Sequence, residues 1–320
     1  MPTTKPTRSR QKAVYRIRNW STYDRALVQR GSLTIWISAE VRQAWRYAGP
    51  LQRGAQREYS ERAIEAMLTV KEVFHLSNRA TEGFVRSLFE LLHLDLVVPD
   101  HTTLSRRGKT VPVHLPKQAE GTLQLVLDSS GLKVYGEGEW KVRQHGWSKR
   151  RTWLKFHVGI DPESSEVQAA MLSEAGVTDA EMVAALLAQV ENPISRVTAD
   201  GIYDQREVYT TLQARAPSAA ILIPPRRGAR IWQHGNTKGA PHPRDEVVRF
   251  IRKHGRRHWK EESGYHQRSL VETAVFRFKT LFDERLSARQ LATQATQFGI
   301  RCRALNMMTH LGMPESYKIT

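Results

Sequence analysis

Tyr265-His266-Gln267-Arg268-Ser269-Leu270-Val271-Glu272-Thr273-Ala274-Val275-Phe276-Arg277-Phe278-Lys279 reads as one amphipathic helix. Tyr265, Arg268, Glu272 and Lys279 stand at offsets 0, 3, 7 and 14, and at about 3.6 residues per turn this spacing sets them within about 60° of one another. Leu270, Ala274, Val275, Phe278, Leu281 and Phe282 fall on the other side and supply an apolar face. One face therefore carries a carboxylate flanked by cations. A solvated helix surface also looks like this, so the rest of the chain has to decide its meaning.

Two further carboxylates decide it. Leu123, Leu125, Val126 and Leu127 form a buried-type strand that runs into Asp128, followed by Ser129, Ser130 and Gly131. Leu132 to Tyr135 and Trp153 to Ile160 read as the next two strands, with a basic segment from Lys141 to Arg151 between them. Val167 to Leu172 adds a strand and Asp179 to Val190 a helix. Ser195 to Ala199 then delivers Asp200 at a strand end, where Gly201, Tyr203 and Asp204 open a turn and a helix. Ala220 to Ile223 is one more strand, closed by Pro224 and Pro225. Ala288 to Leu311 forms a final helix with Leu291, Phe298, Ile300 and Leu305 as core residues.

Asp128, Asp200 and Glu272 are thus delivered by two strand ends and one helix, at two equal intervals of 72 residues. Strand ends converge at one edge of a sheet, and a helix packed there brings in the third oxygen ligand. Hard divalent ions such as Mg²⁺ take oxygen ligands together with substrate phosphate and water. Two such ions about 4 Å apart activate a water or a 3′-hydroxyl and stabilise the leaving oxygen of a phosphodiester. An Asp after a strand is, alone, more often a turn residue. The joint fit of the three is what points to chemistry.

Composition points to the same partner. The chain has 320 residues, enough for two domains, and 49 Lys plus Arg against 32 Asp plus Glu give a net charge of +17 and a pI near 10.2. That is the electrostatic footprint of a polyanion binder, with nucleic acid the leading partner. Cys302 is the single cysteine, which excludes an intramolecular disulfide and a zinc ribbon and fits a reducing, cytoplasmic setting. No apolar run approaches the roughly 20 residues needed to cross a bilayer, and the N-terminus lacks the apolar segment of a secretion signal.

Residues 1–20 carry Lys5, Arg8, Arg10, Lys12, Arg16 and Arg18 with no acid, a basic arm suited to lying along phosphates. Residues 21–115 read as a helical region. Ala63, Ile64, Met67, Leu68, Val70, Val73 and Phe74 recur at helical spacing behind Ser60 as N-cap. A second helix contains Phe84, Val85, Leu88, Phe89, Leu91 and Leu92, and Asp100 caps a short third helix through Arg107. Three short helices ending in hydroxyls and arginines suggest a helix-turn-helix. In such a module Thr102, Thr103, Arg106 and Arg107 are the DNA-reading or positioning side chains. Pro112, Pro116 and Gly121 mark a boundary, after which residues 116–320 form the second part. Within it, residues 226–260 hold eleven Lys or Arg with Trp232 and Trp259, a basic, turn-rich insertion suited to backbone contact and base stacking.

Leu127-Asp128-Ser129-Ser130-Gly131-Leu132-Lys133, Ala199-Asp200-Gly201-Ile202-Tyr203-Asp204 and the Tyr265, Arg268, Glu272, Lys279 spacing together resemble the three conserved regions of DDE transposases from bacterial insertion sequences, of the type with a Y-R-E-K signature. The third region matches at all four residues, and the likeness covers most of residues 120 to 312. The segment from Tyr59 to Arg107 also resembles the N-terminal region of those proteins. The resemblance implies a mixed α/β, ribonuclease-H-like catalytic domain behind the helix-turn-helix-like region. In it Asp128, Asp200 and Glu272 are catalytic and hold Mg²⁺, for which Mn²⁺ can substitute, while Tyr265, Arg268 and Lys279 bind the element end. The implied partners are double-stranded DNA, as element terminal inverted repeats and target DNA, and further copies of the chain, as a homodimer or higher oligomer on DNA in the bacterial nucleoid.

Other readings fit less of the chain. His254 and His258 lack the companions of a zinc site. Gly136 and Gly138 do not complete a nucleotide-binding fingerprint, and Ser129 and Ser130 lack a nucleophile elbow. Asp179, Glu181 and Asp204 are linked to no comparable pattern. A DNA-binding regulator without catalysis explains the charge but not the carboxylates, and a nuclease of the same fold cuts without joining.

Overall fold

The computed structural model describes residues 14–51, 53–54, 56–134, 153–233 and 241–319. Strand β1 (Val14–Ile17) is followed by the short helices α1 (Trp20–Gln29), α2 (Leu33–Trp36) and α3 (Ala39–Gln43). Next come α4 (Glu61–Val73), α5 (Asn78–Leu91) and α6 (His101–Arg107). Each of these three begins at a side chain that accepts an otherwise orphaned N–H: Ser60 from Ala63 at 3.1 Å, Ser77 from Ala80 at 3.2 Å and Asp100 from Thr103 at 2.6 Å. The caps expected at Ser60 and Asp100 are therefore present.

The sheet contains β2 (Leu123–Val134), β3 (Trp153–Ile160), β4 (Val167–Glu174), β5 (Ile194–Thr198) and β6 (Ala220–Leu222) in the order β4-β3-β2-β5-β6. β2, β3 and β4 form an antiparallel meander, while β5 and β6 run parallel to β2. The parallel strands are reached through α7 (Asp179–Leu187) and α8 (Arg206–Arg215). After β6 come α9 (Pro243–His254), α10 (Arg256–Glu262), α11 (Ser269–Phe282), the two-residue strand β7 (Arg285–Leu286) beside the far end of β2, α12 (Leu291–Leu311) and β8 (Ser316–Ile319). This is the mixed sheet flanked by helices expected of a ribonuclease-H-like fold.

Alternation along β2 sends its side chains to two cores. Leu125 and Leu127 pack with Val183, Leu186, Tyr209 and Leu212 under α7 and α8. Val126 and Leu132 face α4, α11 and α12, where Phe156, Phe278 and Phe298 meet with centroids 5.3 to 5.6 Å apart. That second core also contains Trp36, Trp45, Met67 and Val85. The chain does switch from helices to strands between Arg107 and Leu123, but the helical region and the sheet share one continuous core.

Three expectations need correction. Leu123–Leu127 and Leu132–Val134 are parts of one strand, because Ser129, Ser130 and Gly131 keep pairing with His157, Phe156 and Lys155 of β3; Tyr135 lies outside the described residues. The end of the basic arm is built into the fold, since β1 pairs antiparallel with β8 in the register Val14↔Ile319 to Ile17↔Ser316; residues 1–13 lie outside the described residues. The described part of the insertion is largely helical, in α9 and α10; Pro243 in the first turn, Asp245 and Glu246 near the start and Arg252, Lys253 and His254 at the end favour α9, while residues 234–240 lie outside the described residues. Lys141–Arg151, Gly136 and Gly138 lie outside the described residues.

A buried ionic network ties α4 to α12. Glu72 accepts from Arg301 Nε at 2.7 Å and from Gln297 Nε2 at 3.0 Å, and it lies 2.5 Å from Lys71 Nζ. Burial alone raises the Glu72 carboxyl, but Lys71 and Arg301 outweigh it and hold it below the ordinary carboxylate value. A depressed carboxyl contributes stability that is present above its unfolded pKa and is lost as pH falls through the folded one. Glu72→Ala should lower unfolding free energy by about 3–5 kcal/mol at neutral pH, because it strands a buried guanidinium. The gap from the parent should narrow on acidification in a thermal melt; equal melting temperatures at pH 7 would remove the network from the stabilising terms.

Candidate active site

β2 is paired to β5 only as far as Val126↔Thr198, and β7 joins β2 only from Lys133 onward. Between those points one edge of β2 is open, and Asp128 stands in the gap. β5 ends at Thr198, so Ala199 and Asp200 leave the sheet at the same opening, beyond the carboxyl ends of parallel strands, where crevices form in open α/β sheets. Asp128 therefore lies at mid-strand rather than at a strand terminus, and the site arises because its neighbour stops.

The third carboxylate comes from α11. The expected single helix over 265–279 is in fact two pieces, a 3₁₀ turn at Tyr265–Arg268 and then α11 from Ser269. Gly264 enters the turn at φ 71°, a left-handed conformation that glycine adopts without a Cβ clash. The tighter turn changes the helical phase, so the buried face of α11 is Val271, Ala274, Phe278 and Phe282, and Leu270 is exposed. Tyr265 is 8% exposed, packs on the buried Trp259 ring at 5.3 Å and donates its hydroxyl to the Ala199 carbonyl at 3.3 Å. It does not face outward with the stripe. It fixes the start of α11 to the residue before Asp200.

Arg268 joins all three acids. Its Nη2 is 3.5 Å from Asp128 Oδ1 and 3.9 Å from Asp200 Oδ2, and its Nη1 donates to Glu272 Oε1 one helical turn away. Asp200 Oδ1 accepts from the Ile202 N–H at 2.8 Å, leaving its second oxygen towards the guanidinium. Burial raises the Asp128 carboxyl above its ordinary value; Arg268 opposes this, and Asp200 and Glu272 reinforce it. Burial pulls the Arg268 pKa down, but Asp128, Tyr265, Glu272 and Asp200 hold it above the usual value. The two directions agree: one cation is shared by three like charges, so it is firmly protonated while the most buried acid is incompletely compensated. Arg268 Nε is buried without a partner among the described residues. Among these residues no three acidic, His or Cys side chains form a ready metal cluster. The acids are gathered by a guanidinium instead.

Lys279 does not converge with them. It is about 10 Å further along α11, with Nζ 4.0 Å from Glu284 Oε2, and Lys133 engages the same carboxylate and holds it below its ordinary value. α6 packs on α4 and α5. Thr102 and Thr103 are tied to the Asp100 cap, Arg106 donates to Thr103 Oγ1 at 3.2 Å, and Arg107 donates to the Tyr59 carbonyl at 3.1 Å. These bonds hold the four side chains to the helical region, away from the acids; Thr102 and Arg106 are exposed, and Arg107 is half-buried in packing.

The remaining candidates fall away from the site. Asp179 is buried 3.5 Å from Lys155 Nζ and 3.4 Å from His157 Nδ1, on the sheet face opposite Asp128, because His157 pairs with Ser129. Asp204 is held by buried Arg244 at 2.5 Å, and Glu181 bonds to the Thr178 hydroxyl at the start of α7. Trp259 is buried under Tyr265, and Trp232 has the Arg244 guanidinium 3.8 Å over its ring, so both tryptophans are engaged in packing rather than free to stack on bases. Gly255 separates His254 from His258, which lie on different helices. The sequence reading missed the Asp204–Arg244 pair, whose signal is only a buried-type Asp after Tyr203 and an Arg 40 residues later.

No helix among the described residues is long and apolar enough to cross a membrane. Two family models described as a Transposase DDE domain match the chain, over residues 28–137 and 120–307. A cryo-EM structure of a piggyBac transposase synaptic complex with hairpin DNA is similar at 11% sequence identity and a TM-score of 0.38, over 89% of this chain and 76% of that chain.

Proposed function

The chain belongs to the DDE transposase family, whose domain model spans residues 120–307, and from that premise we propose that Asp128, Asp200 and Glu272 are the catalytic carboxylates of an insertion-sequence transposase. The observation that carries this reading is the convergence of three acids from β2, the end of β5 and α11 on the single guanidinium of Arg268.

Domains of this family use divalent metal ions, and the residues here suit them: the donors are all carboxylate oxygens, and they already face one positive group. Asp128, Asp200 and Glu272 would hold Mg²⁺, with Mn²⁺ as a substitute. Such ions, when bound, activate the attacking oxygen and neutralise charge on the leaving one. Arg268 compensates the acids in the free protein and offers two N–H groups to a phosphate when DNA is present. Tyr265 holds Asp200 and α11 in register. Lys279 and Lys133 supply positive charge further along the strand. Thr102, Thr103 and Arg106 face the duplex from the helical region, with Arg107 supporting their helix.

Two displacements follow. Water adds to the phosphorus at the element end and the P–O3′ bond breaks, leaving a 3′-hydroxyl on the element and a 5′-phosphate on the flank. That 3′-hydroxyl then attacks a target phosphodiester, forming one P–O bond as the target's own P–O3′ bond breaks, so no external energy source is needed. Joining two ends to one target calls for a dimer or higher oligomer assembled on DNA in the bacterial nucleoid.

The test uses the full chain, a duplex carrying the inverted repeat that borders its gene with a pre-cut 3′-hydroxyl end, and a supercoiled plasmid, in Mg²⁺ or Mn²⁺. Joined product that disappears with chelator is expected. Hydrolysis without joining would make the protein a nuclease, and tight binding with neither reaction would make it a regulator.

A further inference from the structure

Asp200 forms part of the wall of an open hollow of about 500 Å³ that it shares with Ile202, Pro224, Arg226, Arg227 and Arg256. Ligand sites run from about 300 to 1,000 Å³, so the space suits a single nucleotide. The two loops that bound it approach closely at Gly201, where a Cβ would sit 3.2 Å from the Pro224 carbonyl oxygen.

The floor is rigid. The Arg226 N–H donates to Asp204 Oδ2 at 3.0 Å, and the other oxygen of Asp204 takes Arg244 Nε at 2.5 Å. Arg244 also donates to the Arg230 carbonyl at 2.8 Å and lies 3.8 Å over Trp232, whose N–H bonds to Asp245 at 2.9 Å. Arg252 donates to the Ala229 carbonyl at 3.0 Å and Arg256 to the Pro225 carbonyl at 2.5 Å. Arg244, Arg252 and Arg256 thus bond to the backbone of the loop and hold its shape, and Arg249 adds a longer bond to the Gln233 carbonyl at 3.4 Å.

Arg226 and Arg227 do something else. Both are exposed, and among the described residues neither guanidinium has an acidic or carbonyl partner. A loop braced by those arginines presents two more at the rim of a hollow whose opposite wall is Asp200. Ile202, two residues past Asp200, is 53% exposed on that wall. Two such guanidinia offer positive charge and N–H donors to the anionic oxygens of a phosphodiester, and an isoleucine side chain offers an apolar surface to the face of a base.

We propose that this hollow is a subsite for the nucleotide joined directly to the phosphodiester being cut, with its own phosphate on Arg226 and Arg227 and its base on Ile202. The assignment rests on the reading of Asp200 as a catalytic carboxylate. Arg226 and Arg227 are then positioning residues that set which bond of the strand reaches the acids.

The experiment is a cycle of protein and DNA changes read as Kd by fluorescence anisotropy, with cutting measured separately. The probe is the duplex bearing the gene-bordering inverted repeat with its flank, either unmodified or carrying a neutral methylphosphonate at the linkage on one side or the other of the cut. Arg226→Ala with Arg227→Ala should weaken binding to unmodified duplex by at least about tenfold. The log–log salt slope should fall by about 0.9 for each phosphate that the variant no longer neutralises. On the duplex with the methylphosphonate at the occupied side the same variant should cost nothing further, and Ile202→Ala should lose its effect when that nucleotide is abasic. Equal losses on modified and unmodified duplexes, or an unchanged Kd, overturn the subsite. A parent protein that binds in the expected pattern yet cuts nothing overturns the transposase reading and the placement beside a cut, and leaves a nucleotide site on Arg226 and Arg227.

Discussion

Asp128→Asn should reduce strand cleavage by roughly 10³-fold or more, a rise of about 4 kcal/mol in the barrier, while DNA binding stays within a few-fold of the parent. Asn keeps the volume and one oxygen but removes the negative charge that would draw a cation. The stability readout separates this from misfolding. Burial and two neighbouring acids raise the Asp128 carboxyl, and a raised group contributes stability that is complete below its unfolded pKa, about 4, and is lost as pH rises through the folded value. The parent incurs that loss as pH rises and the variant does not, so above that window Asp128→Asn should melt at an equal or higher temperature. An active centre that is less stable than its neutral replacement is the usual trade between function and stability. In the parent, cleavage should rise with pH across the same window as the carboxylate ionises. Cleavage that survives the substitution, or a variant that melts well below the parent, would remove Asp128 from the catalytic role.

Arg268→Ala should fail in a different way. Without the guanidinium, Asp128, Asp200 and Glu272 face one another uncompensated. The guanidinium is 21% exposed, so solvent softens the loss to about 1–3 kcal/mol, below that of a fully buried pair. The Asp128 carboxyl, which Arg268 holds down against burial, then rises further, and by the same sign rule the lost stability returns as pH falls below its folded value. Mg²⁺ should restore it too, giving a larger rise in melting temperature in the variant than in the parent. Arg268→Lys should restore part of the stability, because a single ammonium does not bridge three acids as a planar fork does. Cleavage should drop in both variants. A deficit that stays the same between pH 5 and pH 8, and that Mg²⁺ leaves unchanged, would show that Arg268 acts through packing alone.

The proposed acids were readable because each sits in a strong local pattern. Apolar runs lead into Asp128 and Asp200, and Glu272 lies on an amphipathic segment. Ser60 and Asp100 were equally readable as caps, since an N-cap is a contact between residues three apart. The status of Tyr265 was not readable. Its offset from Glu272 suits a helix face, but the chain turns more tightly at Gly264–Arg268, and the ring goes inward against Trp259. The strand through Ser129–Gly131 was hidden for a related reason: those residues favour turns by themselves, and only pairing with β3 keeps them extended. The same holds for β1, whose partner β8 lies at the other end of the chain.

Charge, the three carboxylates and the capped helices behind Ser60 and Asp100 follow from the sequence alone, because each depends on residue types and on contacts a few positions apart. The tertiary structure decided that one guanidinium gathers all three acids, that Tyr265 and both tryptophans of the insertion are engaged in packing, and that the guanidinia of Arg226 and Arg227, beside Asp200, have no partner among the described residues. Those outcomes depend on distances between segments up to 140 residues apart, which sheet pairing and core packing set and no local pattern encodes.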